Sequence, residues 1–106
     1  MGNTAQAHTT KSIQNLLKVI SDLRDPLNGC PWDLEQTHSS LIPYVLEEAH
    51  EVADAIREAD DINLIEELGD LLLQVMLHAQ IAEEEKRFCF NDVIKGITTK
   101  LIRRHP

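Results

Sequence analysis

Two neighbouring segments of the chain carry acidic side chains at helical spacing. The segments are LEEAHEVADAI (46–56) and EELGD (66–70), and the acidic residues that could act together are Glu47, Glu48, Glu51, Glu67 and Asp70. Side chains three or four residues apart share one face of a helix. Carboxylates that meet in a partly buried place repel one another unless a cation lies among them. The pattern therefore predicts a site for a divalent cation with oxygen ligands.

The ligand type indicates which ion such a site would take. Carboxylate oxygens suit Mg²⁺, for which Mn²⁺ can substitute, and they do not suit zinc. A di-iron bundle needs a Glu-x-x-His motif on each of two helices. Glu47-x-x-His50 has that spacing, but Glu67-x-x-Asp70 has no histidine at the matching place, which disfavours iron. A non-catalytic all-α interaction module with a solvated acidic face is the alternative that the spacing leaves open.

Charge divides the chain into an acidic middle and a basic end. Residues 47–85 hold 13 Asp and Glu against one Arg, whereas residues 86–106 hold six Lys and Arg against one Asp. The net charge of -8 disfavours a duplex-DNA partner, and we expect no nucleic-acid binding. An acidic middle beside a basic end suits a metal ion together with a small anionic ligand.

No segment of the sequence has the character of a signal peptide or a membrane span. Residues 1–10 are polar, and the longest uncharged apolar run (71–82) is shorter than the roughly 20 residues of a span. Cys30 and Cys89 are far apart and in no CxxC pair, which fits a reducing compartment. We therefore expect a soluble, cytoplasmic protein without a membrane partner.

Helical periodicity dominates the chain and predicts an all-α fold. We predict an antiparallel four-helix module with helices at about 12–24, 39–59, 62–86 and 92–104. The expected N-caps are Ser39 or Ser40 for the second helix, Asp60-Asp61 for the third and Asn91 for the fourth. The expected buried side of the second helix is Leu41, Val45, Val52 and Ile56, with Glu47 closer to solvent, and the expected apolar side of the fourth is Val93, Ile94, Ile97 and Leu101. Residues 25–38 form the one long irregular segment. Residues 1–10 are expected to be a flexible leader or an expression remnant, and residues 11–106 the helical domain.

The third predicted helix is apolar on nearly every side. Leu64, Leu68 and Leu71 form one stripe, but Ile65 and Leu73 lie on other sides. Such a helix needs more partners than a short chain offers, unless it is the central helix of a monomer. We therefore predict that copies of the chain pair into a dimeric or higher-order helical bundle, as a homodimer or a homotetramer.

Three runs of the sequence form a set of motifs, GCPWDLEQTHSSLIPYVLEEAHE (29–51), EELGD (66–70) and KLIRRHP (100–106). Together they resemble the MazG family of nucleoside triphosphate pyrophosphohydrolases, in a likeness that covers about residues 12–106. The resemblance implies an all-α, oligomeric, single-module protein. It also implies Mg²⁺-dependent cleavage of (d)NTPs at the α–β phosphate bond to a nucleoside monophosphate and pyrophosphate, in nucleotide-pool house-cleaning. A related helical nucleotidase for dUTP or dCTP would share the carboxylates.

The resemblance also implies roles for individual residues. The residues that match the metal ligands of the family are Glu48, Glu51, Glu67 and Asp70. Glu47 or Glu51 is then the candidate that accepts a proton from the attacking water or positions it. The candidates for holding the polyphosphate are Lys100, Arg103 and Arg104, which could equally be ordinary cations at a helix C-terminus. Trp32 could stack on the base or plug the end of the bundle.

Overall fold

The computed structural model describes the backbone of residues 2–105 and the side chains of residues 5–105. This part of the chain contains helices and no strand, which confirms the all-α prediction. The five helices are α1 (Gly2–Leu23), α2 (Pro31–Glu35), α3 (His38–Arg57), α4 (Asp61–Glu84) and α5 (Phe90–Arg104). Among the described residues, no helix is both long enough and apolar enough to cross a membrane.

The chain divides after Gln36 into two units, of which the first holds α1 and α2. α1 begins at Gly2, about ten residues before the predicted start, so the predicted leader is helical from Gly2 onward. The helix ends at Leu23, just before Asp25-Pro26, as the proline predicts. The segment predicted to be irregular contains the short helix α2, with Pro31 in its first turn, where a missing N–H is harmless.

The second unit begins with α3, whose N-cap lies two to three residues earlier than predicted. We expected Ser39 or Ser40 as the N-cap, but the N-cap is Thr37. The Thr37 hydroxyl accepts a hydrogen bond from the Ser40 N–H at 3.1 Å, and the Ser40 hydroxyl accepts one from the Thr37 N–H at 2.8 Å. This reciprocal pair satisfies two backbone donors that would otherwise be unpaired at the helix start.

A tight turn joins α3 to α4, so the two helices pack antiparallel. Ala59 takes a left-handed conformation (φ 54°) just past the end of α3, which reverses the chain. The Asp60 carboxylate accepts a hydrogen bond from the Asn63 N–H at 3.1 Å, which confirms the predicted cap of α4. The two helices therefore run back along each other from this turn.

The core of the second unit lies along the contact between α3 and α4. Its fully buried apolar side chains include Leu41, Ala55, Met76, Leu77 and Ala82. Leu41 belongs to the predicted buried side of α3, but Ile56 of that predicted side is 60% exposed, and its neighbour Ala55 is buried instead. The small side chain at position 55 lets the two helices approach closely.

α5 packs against α4 and begins at Phe90, with Cys89 as N-cap where we predicted Asn91. The Cys89 N–H donates to the Asp92 carboxylate at 2.9 Å, and this hydrogen bond lowers the pKa of Asp92. The predicted apolar side of α5 is 37–51% exposed at Val93, Ile94, Ile97 and Leu101. α4 likewise exposes Ile65, Leu68, Leu72 and Val75. Apolar faces of this extent are typical of interaction surfaces, and self-association stays a prediction.

Candidate metal centre

Three carboxylates meet between α3 and α4, within the second unit. One oxygen of Glu48, one of Glu67 and one of Asp70 all lie within 4.8 Å of one another, and the three side chains are half-buried. The i,i+3 spacing of Glu67 and Asp70 puts both on the side of α4 that faces Glu48. The antiparallel register set by the turn at Asp60 brings the two helices to the same level. The structure therefore brings together three of the four predicted ligands.

Of the three carboxylates, Glu48 has the environment least favourable to a negative charge. Its Oε2 atom is buried and accepts no hydrogen bond from any described residue. Burial raises the pKa of Glu48, and the neighbouring charges of Asp70, Glu47 and Glu51 raise it further. A buried carboxylate oxygen without a donor is costly, and a cation in contact with it would offset that cost. The donor set therefore fits a divalent cation that prefers oxygen ligands.

Glu51 lies beside this cluster and outside the set of three. Burial raises the pKa of Glu67, followed by the charges of Glu51, Glu48 and Asp70 and by a hydrogen bond with the Glu51 carboxyl. Glu51 itself is exposed, and so is Glu47, which agrees with the outward position expected for Glu47.

Gly69 interrupts α4 between two of these carboxylates. A Cβ atom at Gly69 would meet nothing within 4 Å, apart from the helix's own backbone and chain neighbours, in the part of the chain that the structure describes. A close approach of α3 therefore does not explain a glycine that costs about 1 kcal/mol relative to Ala in a helix interior. The open space beside Gly69 leaves room for a ligand or a second chain.

A pair of histidines bridges the same two helices further from the turn. Nδ1 of His38 in α3 lies 2.7 Å from Nδ1 of His78 in α4, and the two rings are parallel within 4°. Burial lowers the pKa of His78, and the charge of His38 lowers it further. This pair was not predicted from the sequence. Counting the two helices outward from the turn would have placed both rings at a similar level.

The predicted substrate-binding residues are all on exposed surface. Lys100, Arg103 and Arg104 are exposed on α5, and the two arginines lie in its last turn. Trp32 lies in α2 of the first unit and is 47% exposed. A Trp with half of its surface exposed does not act as a core plug in this unit. The nucleotide-binding roles of these four residues stay predictions.

Comparison with known proteins gives the site a family context. The family described as the MazG nucleotide pyrophosphohydrolase domain matches residues 36–106. A nucleoside triphosphate pyrophosphohydrolase of Escherichia coli is 56% identical over 94 residues, which cover 89% of this chain and 36% of that protein. The pyrophosphohydrolase/pyrophosphatase MazG of Thermotoga maritima is 52% identical over 93 residues, or 88% of this chain and 36% of the relative.

The relatives are longer than this chain. An uncharacterized protein, YabN of Bacillus subtilis, is 59% identical over 88 residues, which cover 83% of this chain and 18% of YabN. The chain thus spans about a third or less of the length of these curated relatives. The match of residues 36–106 includes α3, α4 and α5, and with them all three clustered carboxylates.

Proposed function

Because this chain belongs to the MazG nucleotide pyrophosphohydrolase family, we propose that it hydrolyses nucleoside triphosphates at the α–β phosphate bond. The products are a nucleoside monophosphate and pyrophosphate, and the cellular role is nucleotide-pool house-cleaning in the cytoplasm. The observation that carries the proposal is the convergence of Glu48, Glu67 and Asp70, with one buried carboxylate oxygen left without a donor.

Glu48, Glu67 and Asp70 would hold the cation, with Glu51 as a fourth ligand beside Glu67. We propose Mg²⁺ as the ion, with Mn²⁺ as a substitute. When bound, such a cation supplies positive charge that offsets the phosphate oxygens and favours loss of a proton from water. Glu51 or the exposed Glu47 accepts that proton or orients the attacking water.

The remaining predicted residues would bind the substrate. Lys100, Arg103 and Arg104 offer charge-assisted hydrogen bonds to the phosphate oxygens. Trp32 offers an aromatic face on which the base can stack. The catalytic module is residues 11–106, and it works as a homodimer or homotetramer in which exposed apolar faces of α4 and α5 are covered. Neither DNA nor a membrane takes part.

A product assay over a panel of (d)NTPs tests this proposal. We expect pyrophosphate, with no stoichiometric phosphate, when Mg²⁺ is present, and no turnover in a chelator. Glu66→Gln is the matched control, since Glu66 is exposed and lies outside the cluster of three. If Mg²⁺ with nucleotide neither raises Tm nor yields pyrophosphate, the acidic residues form a solvated face of an interaction module instead.

A further inference from the structure

The two histidines stand at the same helix pair as the carboxylate cluster. From His38 to Glu48 is about 15 Å along α3, and from His78 back to Asp70 and Glu67 is about 12 and 16 Å along α4. Both contacts therefore belong to one antiparallel register of α3 against α4. A slip of either helix by one turn, about 5 Å, would separate the rings and the carboxylates together.

The surroundings of the pair fix which ring donates. Nε2 of His38 is buried and lies 3.5 Å from Oε1 of Glu85, a carboxylate that also accepts from Nη1 of Arg87 at 3.0 Å. A proton on His38 Nε2 faces this carboxylate favourably, whereas a lone pair there would be repelled. In the neutral pair, His38 Nδ1 is then the acceptor and His78 Nδ1–H the donor.

This arrangement tolerates one added proton and no more. With one extra proton, one ring still donates from Nδ1 to the other, so the hydrogen bond is kept, and the Glu85 carboxylate lies near the added charge. With two, both Nδ1 atoms carry a proton and face each other at 2.7 Å, so the hydrogen bond is lost and two positive rings repel. The titratable groups found around the pair are Glu85 and, through it, Arg87.

We propose that His38 and His78 are positioning residues that hold α3 and α4 in the register that brings Glu48 against Glu67 and Asp70. The cluster is assembled while the histidines share a hydrogen bond, and it loosens when both rings are protonated. The proposal rests on the metal-binding role proposed above for the three carboxylates.

Calorimetric titration of the full chain with Mn²⁺ tests this role at pH about 7.5 and about 5. The lower value lies well below the ordinary histidine pKa of about 6.5, because burial and the charge of His38 lower the pKa of His78. His78→Phe keeps an aromatic ring at this position without the hydrogen bond and should weaken Mn²⁺ binding about tenfold at the higher pH. His78→Gln can still donate to His38 and cannot be protonated. It should bind within about twofold of the wild type at the higher pH and lose affinity less steeply at the lower one.

His8→Gln is the control, because it removes an exposed histidine far along the chain from both helices. Protonation of the carboxylates contributes to the pH dependence of every protein, so each variant is compared with His8→Gln at the same pH. Unchanged affinity and pH dependence in His78→Phe would overturn the proposal. Should His78→Phe not fold, a His78→Gln protein with the full wild-type pH dependence would overturn it equally.

A second measurement separates this proposal from the metal role. Amide hydrogen exchange in metal-free protein should be faster across 45–52 and 64–71 in His78→Phe than in the wild type, because the register is less restrained. If the wild type binds no Mn²⁺ but exchange increases, the metal proposal fails and the positioning role stands. If exchange is unchanged, the histidines do not hold the register.

Discussion

Nη1 of Arg24 lies 2.5 Å from the backbone carbonyl oxygen of Asp33 and 3.2 Å from that of Gln36. Arg24 is only 9% exposed, and its guanidinium connects the end of α1 to the middle and the C-terminal end of α2. From the other side, the Gln36 side chain donates to the Trp32 carbonyl at 2.9 Å. Trp32, the only Trp, therefore stands on a backbone held at several points.

Arg24→Met should release this segment. We expect the free energy of unfolding to fall by about 2 kcal/mol, the usual value of hydrogen bonds from a charged donor. Trp32 fluorescence should become easier to quench with acrylamide, since the ring gains freedom. Lys18→Met removes an exposed cation of the same helix and should change the stability by less than about 0.5 kcal/mol. Equal quenching in both variants would show that Arg24 does not hold the Trp32 segment.

Substitution by Ala should have opposite effects on stability at Gly29 and at Gly69. A Cβ at Gly29 would lie 2.5 Å from the carbonyl oxygens of both Leu23 and Asp25, and these backbone atoms cannot move away cheaply. Gly29→Ala should therefore destabilise the protein by about 2 kcal/mol or more, as overpacked substitutions do. Gly69→Ala meets open space and should stabilise it by about 1 kcal/mol.

Urea unfolding of both glycine variants provides the measurement. A Gly69→Ala protein that is more stable yet inactive would indicate that a nucleotide or a second chain occupies the open space beside Gly69. A loss of stability in Gly69→Ala, or none in Gly29→Ala, would contradict these two local descriptions.

Repulsion at the carboxylate cluster predicts a pH-dependent gain from neutralising Glu48. The pKa of Glu48 is raised in the folded state above its unfolded value of about 4.5. Protonated Glu48 therefore contributes stability that is fully present below the unfolded pKa and is lost as the pH rises through the folded pKa. Without divalent cations, Glu48→Gln should match the wild type at low pH. It should exceed the wild-type Tm by about 3 °C near neutral pH.

Mg²⁺ should reverse that order, raising Tm of the wild type and not that of Glu48→Gln. Scanning calorimetry with and without Mg²⁺ measures both effects. Glu66→Gln removes an exposed carboxylate next to Glu67 on α4, and its Tm should equal that of the wild type under all these conditions. If Glu48→Gln is less stable than the wild type in chelator at neutral pH, the carboxylates do not repel one another as described.

The exposed side of α5 predicts a change in assembly. Ile97 is 47% exposed on the apolar side of α5, which packing against α4 covers only in part. Ile97→Asp would place a charge in an interface between copies and should shift the protein from dimer or tetramer toward monomer. Thr99→Asp adds the same charge to an exposed polar position of α5 and should leave assembly unchanged. Sedimentation velocity distinguishes the two, and a wild-type monomer would refute self-association.

The sequence was sufficient for features that depend on neighbours along the chain. Helical periodicity, the Asp60 cap and the i,i+3 carboxylates are local patterns, and the structure contains them. Residues 2–10 are helical although they carry no apolar stripe, so the spacing of apolar residues does not predict a helix there. Tertiary packing turned α3 slightly about its axis, burying Ala55 and exposing Ile56, which periodicity alone does not determine.

Features that depend on register were only partly predictable. The meeting of Glu48 with Glu67 and Asp70 followed from counting residues on both sides of the turn. The same counting applied to His38 and His78 would have paired them, but the two histidines lie 40 residues apart and share no local motif. Glu51, predicted as a ligand, is not among the three carboxylates that converge, although its charge helps to raise the pKa of Glu67.

The role of the clustered carboxylates in catalysis can be measured as pyrophosphate release at increasing Mg²⁺ concentration. The wild type and Asp70→Asn are compared side by side. Asp70→Asn keeps the shape of the side chain and removes one of the three clustered charges. We predict saturable, Mg²⁺-dependent pyrophosphate release by the wild type, and a loss of at least about 100-fold in Asp70→Asn, as second-sphere changes already cost 10–100-fold at metal sites. A folded Asp70→Asn protein with wild-type turnover at the same Mg²⁺ concentration would contradict the account.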